Sequence, residues 1–130
     1  MKEIIRTSEA PEPIGPYSQA IRANGFVFVS GQIPIRPETG LVAEGDIAVQ
    51  THQAIRNLSA VLKAAGSGTD RVVKTTVFLS NLDDFPKFNQ IYQEYFSEAK
   101  PARATVQAAR LPKEVLVEIE AIAIADITEV

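Results

Sequence analysis

The fold is decided by the C-terminal stretch VLVEIEAIAIADI (residues 115–127), in which apolar residues occupy most positions. Side chains of a β-strand alternate between the two faces of a sheet, so this stretch predicts a strand with two different faces. One face is apolar and is expected to contact helices; it consists of Val117, Ile119, Ala121, Ala123 and Ala125. The opposite face consists of Leu116, Glu118, Glu120, Ile122 and Ile124. Because a solvent-facing strand rarely carries so many large apolar residues, other subunits are expected to cover this second face.

The preceding segments predict five further strands. Asn24 and Gly25 accept the positive φ angles of a tight hairpin turn, and β-favouring runs flank them. The remaining strands are predicted where β-favouring residues follow loop or turn signals. The predicted strand segments are 3–7, the two arms of a hairpin within 18–34, 72–80 and 102–109.

Two segments have the three- and four-residue apolar spacing of amphipathic helices. The first is expected to begin after the N-cap residue Asp46 and to end before Gly66. The second is expected to be capped by Asp83 or Asp84 and to continue to residue 96. The order β-ββ-α-β-α-ββ predicts one α+β domain over residues 1–130, a two-layer sandwich in which two helices cover one face of a six-stranded mixed sheet.

Composition narrows the classes of function. The 130 residues include 13 Lys and Arg against 16 Asp and Glu, a net charge of −3, and no cysteine. Disulfides and thiolate chemistry are therefore excluded, and without a basic stripe no nucleic-acid partner is expected. No apolar run approaches the roughly 20 residues of a membrane span, and the N-terminus lacks a signal core. A cytoplasmic location is expected, and a mitochondrial one is left open.

Arg103 is a permanently charged residue near the start of a predicted strand, in PARATVQ (101–107). If the last two strands form a hairpin about residues 111 and 112, Arg103 lies opposite Glu118 or Glu120 on the uncovered face. Periodicity does not choose between the two glutamates. One interpretation is a structural ion pair that fixes the register of subunits. The other is a small-anion site, in which the forked guanidinium holds a carboxylate and the glutamate transfers protons.

Other chemically active side chains have ordinary explanations. His52 is the only histidine and lies beside a helical apolar face, so neither a metal site nor a catalytic role is expected for it. Ser30 does not occur in a nucleophile-elbow motif. Tyr17 follows Pro16 in a loop and is interpreted, on the residues alone, as a turn and packing residue.

Five segments taken together resemble the YjgF/RidA family of reactive intermediate (enamine/imine) deaminases. They are APEPIGPYSQAI (10–21), FVFVSGQIP (26–34), GDIAVQT (45–51), VVKTTVFLSNLDDFPKFNQIYQEYF (72–96) and KPARATVQAARLPKEVLVEIEAIA (100–123). The resemblance covers essentially the whole chain. Its most specific part is the tripeptide P-A-R followed by a late E-I-E-A-I-A.

The resemblance implies a chorismate-mutase-like fold, assembled as a homotrimer whose sheets form a central barrel with pockets between subunits. It implies that Arg103 grips the substrate carboxylate and that Glu118, rather than Glu120, is the catalytic acid. The other pocket residues implied by the resemblance are Tyr17, Ser30, Gly31, Asn89 and Thr105. Many relatives carry cysteine where this chain has Thr105, so thiol-dependent behaviour is not expected here.

The function implied by the resemblance is hydrolysis of reactive 2-imino acids to 2-keto acids and ammonia. Such imines, including 2-iminobutanoate and 2-iminopropanoate, are released by pyridoxal-phosphate dehydratases, and their hydrolysis is expected to need no metal or cofactor. The alternative is a trimeric small-ligand or protein-binding module, holdase-like or translation-inhibiting, without deaminase activity, since a fold alone does not assign a function. A ribonuclease activity is disfavoured by the negative net charge and the single histidine.

Overall fold

The computed structural model describes residues 1–125, which form one six-stranded sheet and two α-helices. The strands are β1 (Glu3–Ile5), β2 (Ala20–Ala23), β3 (Phe26–Gln32), β4 (Val72–Leu79), β5 (Ala102–Gln107) and β6 (Val117–Ile124). The helices are α1 (Ile47–Ala64) and α2 (Phe85–Phe96). The strand order is β1-β2-β3-β6-β4-β5, with only the β4–β5 pair parallel. The predicted α+β architecture is confirmed; residues 126 and 127 of the predicted last strand lie outside the described residues.

Local sequence explains the β2–β3 hairpin and the limits of α1. Asn24 and Gly25 have φ angles of 52° and 81°, as the predicted hairpin turn requires. The Asp46 side chain accepts a hydrogen bond of 3.1 Å from the Val49 amide, which caps the start of α1. Gly66 follows the end of α1 with a φ of 78°. All three predictions are confirmed.

The start of α2 differs from the prediction. Asp84 occupies the N-cap position, but its carboxylate makes no capping hydrogen bond. Instead, Asn81 Oδ1 accepts a hydrogen bond of 2.9 Å from the Asp83 amide and caps a short 3-10 turn that precedes the helix. The φ and ψ of Asp84, −79° and −6°, are already near the helical range, whereas a side-chain cap normally requires an extended residue. The interpretation of the two aspartates as side-chain caps was therefore wrong.

The core lies between the two helices and one face of the sheet. Val77, Val117 and Ile119 from the central strands and Ile55 and Leu58 from α1 are completely buried there. Burial of such side chains contributes roughly 1.5–3 kcal/mol each, so this layer is the main source of stability.

The predicted hairpin between the last two strands is wrong. β6 lies between β3 and β4, whereas β5 pairs in parallel with β4 at the edge of the sheet. In β6, buried residues alternate with half-buried or exposed ones. The central position of β6 in the sheet is what buries every second side chain. β5 is exposed at nearly every position, as is typical of an edge strand. The helix α2 supplies the crossover that a parallel β4–β5 pair requires.

This topology changes the face on which Arg103 lies. Arg103 is the register partner of Thr75, which is completely buried on the helix face. Glu118 is the register partner of Phe78, one pleat away, so Glu118 and Glu120 lie on the opposite face. The prediction that Arg103 shares a face with the two glutamates is therefore wrong.

We call the sheet face opposite the helices the open face. Phe26, Phe28, Val106 and Ile124 lie on it with 42–45% of their surface exposed, which agrees with the expected uncovered apolar face. Leu116 is predicted to lie on the same face, but it packs against the core. It precedes the first residue of β6, so the alternation of that strand does not apply to it. None of the helices in residues 1–125 is long and apolar enough to cross a membrane.

Candidate active site

Arg103 projects from the edge strand β5 toward α2, where three side chains hold it. Its Nη1 donates a hydrogen bond of 2.8 Å to Asn89 Oδ1. Its guanidinium carbon lies 4.7 Å from the centre of the Tyr92 ring and 5.3 Å from the centre of the Phe85 ring. These distances are in the range of cation–π contacts. The guanidinium is therefore oriented although the residue is exposed.

No carboxylate within residues 1–125 forms a salt bridge with Arg103. The salt bridges seen in that part of the chain join Arg6 to Glu12 and Arg110 to Glu114, and all four side chains are largely exposed. The structural ion pair considered from the sequence is thus not formed inside one chain. Most N–H donors of Arg103 are therefore available to bind an anionic ligand.

Thr105 lies on the same face of β5 as Arg103, two residues further along the strand. Its hydroxyl oxygen is buried and has no hydrogen-bond partner among the described residues. Leaving a buried hydroxyl unpaired costs about 1–3 kcal/mol, so a partner from outside the chain would recover stability here.

A cavity of about 480 Å³ adjoins Arg103 between the second half of α2 and the start of β5. Its lining residues are Asn89, Tyr92, Gln93, Phe96, Ser97, Lys100, Pro101 and Arg103. The charged members of this lining are both cations, so the cavity favours an anionic ligand.

Glu118 lies on the open face in the first half of β6 and is half-buried. Burial raises the pKa of this carboxyl above its usual value, and the charge of Glu120 raises it further. No hydrogen bond to the carboxyl occurs within residues 1–125, so no donor there lowers the pKa again. A carboxyl with a raised pKa and no hydrogen-bond partner is a candidate for exchanging protons with a substrate.

Gly31 makes room for the Glu118 carboxyl. A Cβ atom at position 31 would lie 2.0 Å from Glu118 Oε2, closer than any real contact. The β3–β6 register also shifts between Val29 and Gln32, and such irregularities re-aim side chains at functional sites. A glycine is therefore required at position 31 because the Glu118 carboxyl lies so close to it, and not because of the backbone conformation.

Ser30 and Tyr17 lie around the same position. The Ser30 hydroxyl donates a hydrogen bond of 2.5 Å to the Ser18 carbonyl, and its amide donates one of 2.9 Å to the Gln19 carbonyl. Tyr17 is 52% exposed, accepts a hydrogen bond from the Ile14 amide and lines a small cavity with Gly31. Both residues thus border Gly31.

Sequence reasoning missed the residue that holds the Tyr17 loop. Gln19 is buried; its Oε1 accepts a hydrogen bond from the Thr7 amide, and its Nε2 donates to the carbonyls of Thr7, Ala10 and Pro11. A lone glutamine in a proline-rich loop carries no periodic signal, so only the contacts disclose its role. Tyr92 is a second residue whose contacts the sequence did not predict, because its position in the helix indicates only a core residue.

The expected site residues fall into two groups. The arginine group consists of Arg103, Asn89 and Thr105 on the helix face; the glutamate group consists of Glu118, Gly31, Ser30 and Tyr17. The structure brings the members of each group together, but it does not bring the two groups together. β4 separates their strands, and within one chain Arg103 and Glu118 lie on opposite sides of the sheet.

The remaining candidates take no part in either group. His52 Nδ1 lies 2.7 Å from the Tyr95 hydroxyl, and the two rings pack edge to face, which is a structural arrangement. Within residues 1–125 no three His, Cys, Asp or Glu side chains are placed to share a metal ion.

Comparison with known proteins supplies the context for this arrangement. The model of the family Endoribonuclease L-PSP matches residues 7–125. A RutC family protein of Pyrococcus horikoshii is 57% identical over 95% of this chain and 98% of its own length. The mouse protein named 2-iminobutanoate/2-iminopropanoate deaminase is 44% identical over 95% of this chain and 92% of its own. The crystal structure of Escherichia coli TdcF with bound serine superposes with a TM-score of 0.90 at 42% identity, covering 95% of this chain and 99% of that one.

The match extends over nearly the whole described chain, and the solved relative has the same fold. This protein therefore belongs to the Endoribonuclease L-PSP family, also called the YjgF/RidA/RutC family.

Proposed function

We propose that this protein hydrolyses reactive 2-imino acids, such as 2-iminobutanoate and 2-iminopropanoate, to 2-keto acids and ammonia. The observation that carries the proposal is the Arg103 guanidinium, which Asn89 and Tyr92 orient and no carboxylate of residues 1–125 neutralises. The named activity of the mouse relative supports the reaction, and the serine bound to TdcF supports a ligand with an α-carboxylate.

The complete site forms between two copies of the chain, in a homotrimer. The arginine group of one copy meets the glutamate group of the next, because one chain holds these groups on opposite faces of its sheet. The exposed apolar residues of the open face favour the same assembly, and a closed barrel would bury them. Light scattering is expected to give three times the chain mass of 14.1 kDa. A stable monomer in dilute solution would contradict the interface site.

Each group has a separate task in the reaction. The Arg103 guanidinium binds the substrate carboxylate through two parallel N–H donors and so fixes the C=N bond. Water adds to the carbon of the protonated imine while the Glu118 carboxylate accepts one proton from it, which gives a tetrahedral carbinolamine. Glu118 then returns that proton to the amino nitrogen. As the C–N bond breaks, the carbinol hydroxyl gives its proton to the Glu118 carboxylate, which leaves the 2-keto acid and ammonia, and Glu118 then releases this proton to solvent. The Thr105 hydroxyl is buried and would have to rotate toward the site before it could hydrogen-bond the substrate. No step requires a thiol.

The test is ammonia release from an imino acid generated in place by a pyridoxal-phosphate dehydratase acting on threonine. Increasing amounts of the protein should accelerate release beyond the spontaneous rate, and Glu118→Gln should remove the acceleration while the assembly persists. Release at the spontaneous rate alone, with 2-oxobutanoate still bound, would instead identify a small-ligand binding module. An RNA incubation is a useful control, and no cleavage is expected because the only histidine is engaged with Tyr95.

A further inference from the structure

We infer that Tyr92 is a positioning residue, whose ring, fixed by a hydrogen bond to Thr75, holds the Arg103 guanidinium in the orientation that receives the substrate carboxylate. The inference rests on the proposed function and adds to it a residue that none of the sequence motifs singled out for the site. Arg103 needs such support, because it lies on an edge strand and its long exposed side chain would otherwise sample many rotamers.

The contacts of Arg103 show how the support works. Its guanidinium carbon lies 4.7 Å from the centre of the Tyr92 ring, with Phe85 at 5.3 Å. An aromatic face attracts the cation without occupying the N–H groups at the edge of the guanidinium. Asn89 accepts a hydrogen bond from Nη1, and the Tyr92 hydroxyl also interacts with the guanidinium. The N–H groups that remain can bind a carboxylate.

Tyr92 is itself held on every side. It is 7% exposed, and its hydroxyl lies 2.7 Å from the hydroxyl of Thr75, which is completely buried. The rings of Phe88 and Phe96 pack against it with centroid distances of 5.5 and 4.5 Å. Since Thr75 is the register partner of Arg103 on the neighbouring strand, the ring is anchored to the same part of the sheet that carries the arginine.

The choice of an aromatic support follows from the charge of the ligand. An aspartate or glutamate would also hold Arg103, but it would occupy the fork and neutralise the charge that the substrate needs. A tyrosine ring orients the cation and leaves its charge in place. This explains why residues 1–125 offer no carboxylate to Arg103 while they surround it with aromatic rings.

The experiment measures KM and kcat for imine hydrolysis and, separately, the Kd for 2-oxobutanoate by calorimetry. Tyr92→Leu should raise KM and Kd about 3- to 30-fold and leave kcat within about 2-fold, as expected for the loss of a cation–π contact. Tyr92→Phe and Thr75→Val remove the same hydrogen bond but keep the ring. Each should therefore cause a smaller loss, and the two losses should not add.

Two controls separate positioning from packing. Phe88→Leu truncates a buried ring that packs against Tyr92 and has no cation–π contact with Arg103, so it should lower stability and raise KM and Kd much less than Tyr92→Leu does. If Tyr92→Leu does not fold, Phe85→Leu removes the other ring that contacts the guanidinium, which is half-exposed. A smaller rise in Kd is expected for this variant. In an Arg103→Ala background, Tyr92→Leu should cause no further loss of 2-oxobutanoate binding.

The inference is overturned if Tyr92→Leu binds 2-oxobutanoate with the parental Kd, if Phe88→Leu raises Kd equally, or if the losses from Tyr92→Leu and Arg103→Ala simply add. Failure of the parent protein to bind 2-oxobutanoate would also overturn it. A parent protein that binds 2-oxobutanoate through Tyr92 and Arg103 but releases no ammonia would instead contradict the proposed function and leave the positioning role standing.

Discussion

The arginine group and the glutamate group differ in how the protein treats their charges. Arg103 is exposed, yet one hydrogen bond and two aromatic rings hold its guanidinium. Glu118 is half-buried, yet its carboxyl receives no hydrogen bond within residues 1–125, and it occupies the space where a side chain at Gly31 would lie. The exposed charge of Arg103 thus has several oriented contacts, whereas the half-buried carboxyl of Glu118 has no hydrogen bond within residues 1–125.

This difference supports the two separate tasks proposed for these residues. A charge that binds a ligand gains from a fixed orientation, because the entropy of ordering it is lost on folding rather than on binding. A charge that transfers protons must exist in both protonation states, and each hydrogen bond to the carboxylate would lower its pKa and favour one state. The roles therefore follow from the surroundings of the two side chains.

The comparison is tested most strongly by Glu118→Gln. Loss of the proton carrier should lower kcat by about 10²- to 10⁴-fold, the usual contribution of general acid–base catalysis. Substrate binding should persist, since the arginine group is unchanged. Steady-state hydrolysis with paired light scattering measures both, and Glu120→Gln, on the same face of β6, is the matched control with a much smaller loss. The reverse order of rates would show that Glu120 is the proton carrier.

Substitution of Arg103 should affect binding first. Lys retains the charge but not the planar fork, and each hydrogen bond to a charged group contributes about 1.5–3 kcal/mol. Arg103→Lys should therefore lose at least about 10-fold in kcat/KM, and Arg103→Ala should lose more. Activity and oligomeric state are measured on the same samples. If the arginine instead forms an ion pair between subunits, activity will fall in proportion to dissociation; an intact Arg103→Ala assembly with the parental rate would refute the carboxylate role.

The close approach of the Glu118 carboxyl to Gly31 is tested by Gly31→Ala. The new methyl group must displace the Glu118 carboxyl, whose end is flexible, so the fold is little disturbed while the proton carrier moves. Turnover should fall about 10-fold, and the free energy of unfolding should change by less than about 1 kcal/mol. Gly68→Ala is the control, because its Cβ would lie 2.8 Å from Asp70 Oδ1, outside both groups. Equal losses from the two alanines would contradict a specific role for Gly31.

The smallest expected effect is on stability. Because the pKa of Glu118 is raised in the folded protein, the folded state binds this proton more tightly than the unfolded state. Stability linked to this group is therefore present below the usual carboxyl value of 4.5 and is lost as the pH rises through the raised pKa. Glu118→Gln should unfold at higher urea concentration than the parent at pH 7.5, and the gap should narrow toward pH 4. A less stable variant at pH 7.5 would show that Glu118 makes stabilising contacts in the assembly, and it would contradict this prediction.

Much of the fold could be predicted because its signals are local. Alternation in β6, the Asn24–Gly25 turn and the Asp46 cap each depend on a few neighbouring residues, and all three are confirmed. The site residues came from the family resemblance, and the structure shows which of them are neighbours. The prediction of a hairpin between the last two strands is wrong because the neighbour of each strand depends on burial across the whole sheet. β6 lies at the centre of the sheet and β5 at its edge.

The sequence by itself determined the α+β class and an apolar second face of the sheet, and its family resemblance named Arg103 and Glu118 as the candidate charges. Only the tertiary structure decided that Arg103 and Glu118 lie on opposite faces, that Tyr92 contacts the arginine and that Gly31 makes room for the glutamate. The physical reason is that alternation along a strand assigns faces only relative to that strand. The face of Arg103 relative to Glu118 depends on how β4 pairs with both β5 and β6, a contact between residues far apart in the chain.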